Sequence, residues 1–165
     1  MDEQQSKLVR NKGWVEKIIS GGQTGVDRAG LDAAIFIGIP HGGWCPNGRR
    51  AEDGPIPACY ELNELASTQY VDRTKRNVLD SDATLILYTN VLQGGTFLTW
   101  RYALKHGKPC LKICLTKPRR VQRVRDWLTR NQVRTLNIAG PRASKEPEAY
   151  QCAFEFLIRV FGKDK

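Results

Sequence analysis

The stretch Ile18-Ile19-Ser20-Gly21-Gly22-Gln23-Thr24-Gly25-Val26-Asp27 decides the fold, because it has the pattern of a strand that enters a helix through a glycine turn. Two consecutive isoleucines suit a strand that is buried on both faces of a parallel sheet. Three glycines within five residues leave backbone N–H groups free at the start of the helix, where its dipole is positive. The turn therefore predicts a site for a phosphate or another small anion.

A second glycine turn repeats this arrangement later in the chain. The strand-like run 85–88 is followed by Gly94-Gly95-Thr96, with Thr96 as the expected N-cap of a helix and Thr99 one turn further on. Two such turns in two strand–helix units predict one ligand site at the carboxyl edge of a parallel sheet. For each turn, an ordinary turn or helix cap without a ligand is the alternative interpretation.

The rest of the chain alternates between strand and helix patterns. The predicted strands are 16–20, 83–88, 110–115 and 135–139, and the predicted helices are 25–38, 70–80, 96–105, 119–130 and 147–161. With right-handed crossovers, this order predicts an α/β fold with a mostly parallel sheet, a single Rossmann-like three-layer α/β/α domain over residues 14–165. Residues 1–13 are polar and are predicted to form a flexible leader.

The first turn lacks two familiar nucleotide-binding motifs. It has neither the Gly-Lys-Ser/Thr of a Walker A loop nor the G-x-G-x-x-G fingerprint, which argues against ATP hydrolysis and ordinary NAD binding. It does offer the Gln23 amide and the Thr24 hydroxyl, and Asp27 and Arg28 follow in the first helical turn. Asp27 either complements the helix dipole or acts on the ligand.

Residues 41–57 are predicted to form an ordered loop over the site, because four glycines and three prolines exclude an ordinary helix. Arg49 and Arg50 are candidates to clamp a phosphate with planar, bidentate hydrogen bonds. Glu52 and Asp53 are candidate acids or bases, or acceptors for ribose hydroxyls. The alternative is a loop whose charged side chains pair with one another.

One face of the predicted helix 70–80 carries polar side chains that suit the same cleft. Arg73, Thr74 and Asn77 share this face. They are candidate ligand-binding residues, and a solvated helix face is the alternative.

Composition limits the classes of protein to which the chain can belong. Its 165 residues suit one domain, no apolar run is long enough to span a bilayer, and the N-terminus lacks the apolar core of a signal peptide. Five cysteines without a C-x-x-C pair are expected to be reduced, as in a cytoplasmic protein. With only two histidines, no metal site is expected.

The net charge of +9 is concentrated in residues 117–134. Seven basic residues oppose Asp126 alone: Lys117, Arg119, Arg120, Arg123, Arg125, Arg130 and Arg134. A nucleic-acid-associated surface is one interpretation. The solvated face of a helix on a basic protein is the other, and we favour it.

Four motifs occur in order along residues 15–115. They are Ser20-Gly21-Gly22-Gln23-Thr24-Gly25-Val26-Asp27-Arg28, Gly43-Trp44-Cys45-Pro46-Asn47-Gly48-Arg49-Arg50-Ala51-Glu52-Asp53-Gly54, Arg73-Thr74-Lys75-Arg76-Asn77 and Gly94-Gly95-Thr96. In these motifs the chain closely resembles the molybdenum carrier family, the circularly permuted YpsA branch of the SLOG superfamily. The resemblance implies a Rossmann-like fold whose glycine turns hold a nucleotide or a nucleotide-derived ligand. The family name implies the molybdenum cofactor, a pterin phosphate.

Other members of the superfamily imply a different activity. The lysine-decarboxylase-like enzymes that activate cytokinins cleave the base from a nucleoside monophosphate, with a catalytic glutamate in a motif similar to Pro-Gly-Gly-x-Gly-Thr-x-x-Glu. Here the second turn reads Gln93-Gly94-Gly95-Thr96-Phe97-Leu98-Thr99-Trp100, and no glutamate follows. An N-glycosidic hydrolase would therefore need Asp27, Glu52 or Asp53 as its acid or base.

Three hypotheses on function result. The first is binding of a phosphorylated, nucleotide-like small molecule, with a carrier of the molybdenum cofactor as the specific form. The second is the nucleotide hydrolase, and the third is the nucleic-acid-associated protein. A homo-oligomer is also expected, because the closing helix carries Phe154, Phe156 and Phe161 on more than one side.

Overall fold

The computed structural model describes residues 15–117 and 120–162. The predicted leader and the predicted start of a helix at Arg119 lie outside these residues. The strands are β1 (Lys17–Ile19), β2 (His41–Gly42), β3 (Trp44–Cys45), β4 (Arg50–Ala51), β5 (Gly54–Pro55), β6 (Asn63–Glu64), β7 (Ala83–Tyr88), β8 (Cys110–Cys114) and β9 (Thr135–Ala139). The helices are α1 (Val26–Ile37), α2 (Tyr70–Leu79), α3 (Gly94–Lys105), α4 (Val121–Arg130) and α5 (Ala149–Phe161).

The central sheet has five strands in the order β2-β1-β9-β7-β8, and every neighbouring pair is parallel. Helix α1 packs on α5, which also contacts α4, while α2 packs on α3. These two groups of helices enclose the sheet, so the predicted Rossmann-like α/β fold is confirmed. The ends of β1, β7 and β9 lie side by side, and this arrangement brings both glycine turns to one edge of the sheet.

The main core lies between the sheet and the helix pair α1–α5. Gly30 allows α1 to approach the sheet closely, because a Cβ there would lie 2.9 Å from the Cβ of Ile138. Phe156 and Phe161 also belong to this core, each 5% exposed, so they do not form the outward surface expected of the closing helix. A homo-oligomer stays a prediction.

The segment 41–57 is more regular than the predicted loop. Its first residues form β2, which extends the central sheet, and β3 pairs with β6. Residues 50–55 form the antiparallel hairpin β4–β5, which we call the clasp hairpin. The expectation of one irregular loop was wrong because glycines and prolines exclude a helix without excluding strands of two residues.

Two further features bear on the class of protein. All five cysteines are free thiols, as predicted, and Cys45 is buried. Within residues 15–117 and 120–162, no helix is both long and apolar enough to cross a membrane.

Candidate functional site

A cleft opens at the carboxyl ends of β1, β7 and β9, where the sequence predicted a ligand site. It receives residues from both glycine turns, from α2 and from the segment that follows β9. Ten of the predicted site residues line it: Gly21, Gln23, Asp27, Arg73, Thr74, Asn77, Gly94, Gly95, Thr96 and Thr99. Eight others are not among its lining residues: Gly22, Thr24, Gly25, Arg28, Arg49, Arg50, Glu52 and Asp53.

The start of α3 is open to the cleft. Within the described part of the chain, no residue accepts a hydrogen bond from the N–H groups of Gly94, Gly95 or Thr96, and no side chain caps the helix. A Cβ added at Gly94 or Gly95 would meet nothing within 4 Å. This helix end therefore combines free donors, a positive dipole and room for a ligand atom to approach the backbone.

Thr96 does not cap α3 as predicted. The helix begins two residues earlier, with Gln93 in the N-cap position. Thr96 is 7% exposed and lies in the first turn of the helix. Thr99 donates from its hydroxyl to the carbonyl oxygen of Gly95, at 2.9 Å. The error arose because a threonine after two glycines resembles a cap, whereas glycine can itself begin the helix.

The first glycine turn is closely packed, and part of its backbone is hydrogen-bonded within the protein. The Val26 N–H donates to the carbonyl of Pro141 at 3.2 Å, and the Gln23 N–H donates to Asp27 Oδ2 at 3.3 Å. A Cβ at Gly25 would lie 2.4 Å from the Pro141 carbonyl oxygen. A Cβ at Gly22 would lie 2.5 Å from Leu62 Cδ1. Of these two glycines predicted to hold phosphate, Gly25 is thus required by packing against backbone, and Gly22 by its φ of +72°.

Gln23 lines the cleft, and its side chain has an unused donor. Its side chain is buried, with the residue 5% exposed. Its Oε1 accepts from the N–H of Thr24 at 3.0 Å and from the N–H of Glu52 at 2.9 Å. Its Nε2 has no hydrogen-bond partner among the described residues. A buried amide without a partner costs roughly 1–3 kcal/mol, so a ligand that accepts from Nε2 would recover this loss.

Asp27 and Arg73 form a buried pair at the base of the cleft, each 8% exposed. Arg73 Nη1 lies 3.7 Å from Asp27 Oδ2 and donates to the carbonyl of Gly21 at 3.1 Å. Burial raises the pKa of Asp27 to about 6, although the nearby Arg73 acts to lower it. Burial also lowers the pKa of Arg73. The two charges largely compensate each other, and Asp27 is near the middle of its titration at mildly acidic pH.

Glu52 and Asp53, predicted as acid or base groups, lie on the clasp hairpin and do not line the cleft. Asp53 forms a bidentate ion pair with Arg28, at 2.5 and 2.7 Å, which lowers the pKa of this carboxyl. Burial acts to raise the pKa of Glu52, but hydrogen bonds from Ser144 and Thr24 prevail and lower it. Both carboxylates thus bind partners outside the segment 41–57, so its charged side chains do not pair with one another, and neither carboxylate lines the cleft.

The two arginines of the hairpin region do not clamp the cleft. Arg49 donates to the carbonyls of Ile56, Pro57 and Tyr60, at 2.8 to 2.9 Å, and so fixes the chain that follows it. The Arg50 guanidinium lies 5.0 Å from the centre of the Tyr70 ring. Arg49 thus binds local carbonyls, Arg50 lies over an aromatic ring, and neither residue lines the cleft.

The segment after β9 contributes residues that sequence reasoning missed. Among them are Arg142, Lys145 and Glu146. The described residues give no acidic partner for the first two side chains. Glu146 is 4% exposed and accepts from the N–H and hydroxyl of Thr89, at 2.7 and 2.5 Å. The sequence did carry a signal, because a glycine follows the predicted strand 135–139 just as it follows β1.

The basic segment 117–134 lies apart from the lining of the cleft. Arg125 donates to the carbonyls of Arg159 and Val160, at 2.8 and 2.9 Å, and Arg134 pairs with Glu16 at 2.7 Å. Arg125 and Arg134 therefore connect this segment to other parts of the fold. Arg119 lies outside the described residues. A nucleic-acid surface stays a prediction without support from these contacts.

Comparisons with known proteins identify the class to which this fold and cleft belong. The model of the circularly permutated YpsA SLOG family matches residues 18–161, so the chain belongs to this family. It is also similar to a crystal structure of the "putative molybdenum carrier protein" from Syntrophus aciditrophicus SB, with 47% identity and a TM-score of 0.87. That match covers 90% of this chain and 96% of the other. Among curated proteins, none matches this chain. The family predicted from the four motifs is confirmed.

Proposed function

We propose that this protein binds a phosphorylated, nucleotide-like small molecule in the cleft, with the phosphate at the start of α3. The uncapped N-terminus of α3 carries the proposal, because its free N–H groups and open glycines suit a phosphate. The unpartnered Gln23 Nε2 supports it independently, since this buried donor lines the same cleft. Arg142 and Lys145 would add positive charge that attracts an anionic ligand.

The name of the similar structure suggests a specific form of this function, carriage of the molybdenum cofactor. A pterin phosphate fits the donors at the start of α3 through its phosphate. Residues 15–117 and 120–162 contain no group of three or more histidine, cysteine or acidic side chains that could hold a metal ion. We therefore propose that such a cofactor would be held through its phosphate and ring system. Free cysteines support a cytoplasmic location for such a carrier.

Native mass spectrometry tests the proposal with AMP, GMP and a pterin phosphate as separate probes. We expect a one-to-one adduct that is recovered chemically intact after an hour. Gly95→Leu should weaken it about 100-fold, because a Cβ there meets no protein atom within 4 Å and the larger side chain would occupy space beside the free N–H groups. Arg101→Leu, an exposed position on the same helix, is the control. Equal affinity in the Gly95 variant would contradict the placement of the phosphate.

A second function, N-glycosidic hydrolysis, is favoured by the position of Asp27. It is the one of the three candidate carboxylates that lines the cleft, and its pKa of about 6 suits proton transfer near neutral pH. Under this proposal, AMP would be recovered as adenine and ribose phosphate. Asp27→Asn should then slow base release at least 100-fold while AMP still binds. Intact AMP from the wild-type protein would exclude hydrolysis of this nucleotide.

A further inference from the structure

We propose that Glu52 is a positioning residue of the cleft, which holds the Gln23 amide and the segment 142–145 in the arrangement that receives the ligand. The assignment rests on the proposed function for the identity of the ligand. It replaces the catalytic role that the sequence suggested for this carboxylate, because Glu52 is not among the residues that line the cleft.

The carboxylate of Glu52 joins two walls of the cleft. From the first glycine turn, the Thr24 hydroxyl donates to Glu52 Oε1. From the segment after β9, the Ser144 N–H donates to Oε1 at 3.1 Å and its hydroxyl donates to Oε2 at 2.5 Å. The Ala143 N–H completes the connection by donating to Thr24 Oγ1 at 3.1 Å. Through these bonds, Glu52 and Thr24 fix the backbone of Ala143 and Ser144, which lie between Arg142 and Lys145.

The backbone N–H of Glu52 orients the Gln23 amide, whose Nε2 is the unused donor. Its N–H and that of Thr24 both donate to Gln23 Oε1, at 2.9 and 3.0 Å. With Oε1 held by two donors, the amide has one orientation, and Nε2 is the atom left without a partner. Glu52 therefore sets the direction of Gln23 Nε2 and the positions of Arg142 and Lys145. This preorganisation lowers the entropic cost of binding.

Asp53 provides the matched comparison on the same hairpin. It is the neighbour of Glu52 in sequence, and it also binds through its carboxylate, but its partner is Arg28 on α1. Neither Asp53 nor Arg28 lines the cleft. Loss of Asp53 should therefore loosen the hairpin without releasing the segment 142–145.

Hydrogen–deuterium exchange of the ligand-free protein tests the positioning directly. In Glu52→Ala, the backbone N–H groups of Ala143 and Ser144 should exchange about tenfold faster, because their acceptors are lost or released. Asp53→Ala should leave these two N–H groups unchanged. Glu52→Gln should restore much of the protection, since an amide can still accept from Ser144 and donate to its hydroxyl.

AMP affinity, measured by calorimetry on the same variants, supplies the functional readout. We expect about a tenfold loss in Glu52→Ala, less than threefold in Asp53→Ala and a partial recovery in Glu52→Gln. Unchanged exchange at Ala143 and Ser144 in Glu52→Ala would overturn the proposal whatever the wild-type protein binds. Faster exchange with unchanged AMP affinity would overturn it too, because Glu52 would then stabilise the segment 142–145 without affecting binding. Absence of AMP binding in the wild type would count against the proposed function alone, because the exchange data stand without a ligand.

Discussion

The two glycine turns look alike in sequence but differ in what surrounds them. The turn before α1 is closely packed and partly paired within the protein: the Pro141 carbonyl accepts from Val26, and the Asp27 carboxylate accepts from Gln23. The turn before α3 is empty, because its first N–H groups have no acceptor among the described residues. A glycine-rich turn therefore has two physical uses, close packing of the chain on itself and access for a ligand, and only the surroundings tell them apart.

The two turns also contribute different chemical groups to the cleft. The first turn supplies side-chain groups, the unpartnered Gln23 amide and the buried Asp27, which its closed backbone holds in place. The second supplies backbone donors at a positive helix end. A closely packed wall beside an open one would give the proposed ligand a preformed site.

Glycine-to-alanine substitution should have very different effects on stability in the two turns, and this difference is the largest predicted effect. Gly25→Ala should reduce the free energy of unfolding by about 2–5 kcal/mol, because φ is +83° and the new Cβ would lie 2.4 Å from the Pro141 carbonyl oxygen. Gly95→Ala should be neutral or stabilise by up to about 1 kcal/mol, since the helix gains alanine without a clash. Urea unfolding of both variants measures this, and equal losses would contradict the distinction between closed and open turns.

A pH-dependent prediction concerns the carboxylate of the closed turn. The folded pKa of Asp27 is raised from 3.8 to about 6, so the folded state holds this proton more tightly than the unfolded state does. Stability should therefore fall as pH rises from 4 to 6, by about 2 kcal/mol from this group alone. Asp27→Asn should remove the decline.

Asp53→Asn is the control for this pH experiment. The Arg28 ion pair lowers the pKa of Asp53, so this group contributes stability that is lost on acidification, with the opposite sign. The control should thus keep the decline between pH 4 and 6. A wild-type curve that is flat over this range, with Asp27→Asn superimposed on it, would show that burial does not raise the pKa of Asp27.

Sequence patterns sufficed for the main elements of the fold because the long strands and helices obey local rules. The strands 83–88 and 135–139 have the predicted limits, and the turn before α1 and the close approach at Gly30 follow from residue chemistry. The edge strand β2 was missed because two residues carry too little periodicity to predict a strand.

The site was predictable in its location and less so in its members. Both turns and the face of α2 meet at the cleft, as the sheet-edge rule requires. The roles of Glu52, Arg28 and Arg49 depend on partners that are distant in sequence or are backbone carbonyls, and residue type alone does not identify these. Arg142 was missed because an arginine in a polar connection has no local pattern, and only its position after β9 could have indicated it.

The smallest predicted effect comes from a substitution that gives the free N–H groups at the start of α3 an acceptor within the protein. Gln93 occupies the N-cap of α3 without capping it, so Gln93→Asp would place a carboxylate where it accepts from the N–H groups of Gly95 or Thr96. Stability should rise by about 1 kcal/mol, while affinity for AMP falls about tenfold, because the new carboxylate uses the donors and repels the phosphate. Gln93→Asn separates the two causes, since it caps the helix without charge and should lose only about threefold. If calorimetry showed that Gln93→Asp bound AMP as well as the wild type, the phosphate could not lie at the start of α3, and the cations of the segment 142–145 would become its nearest alternative partners.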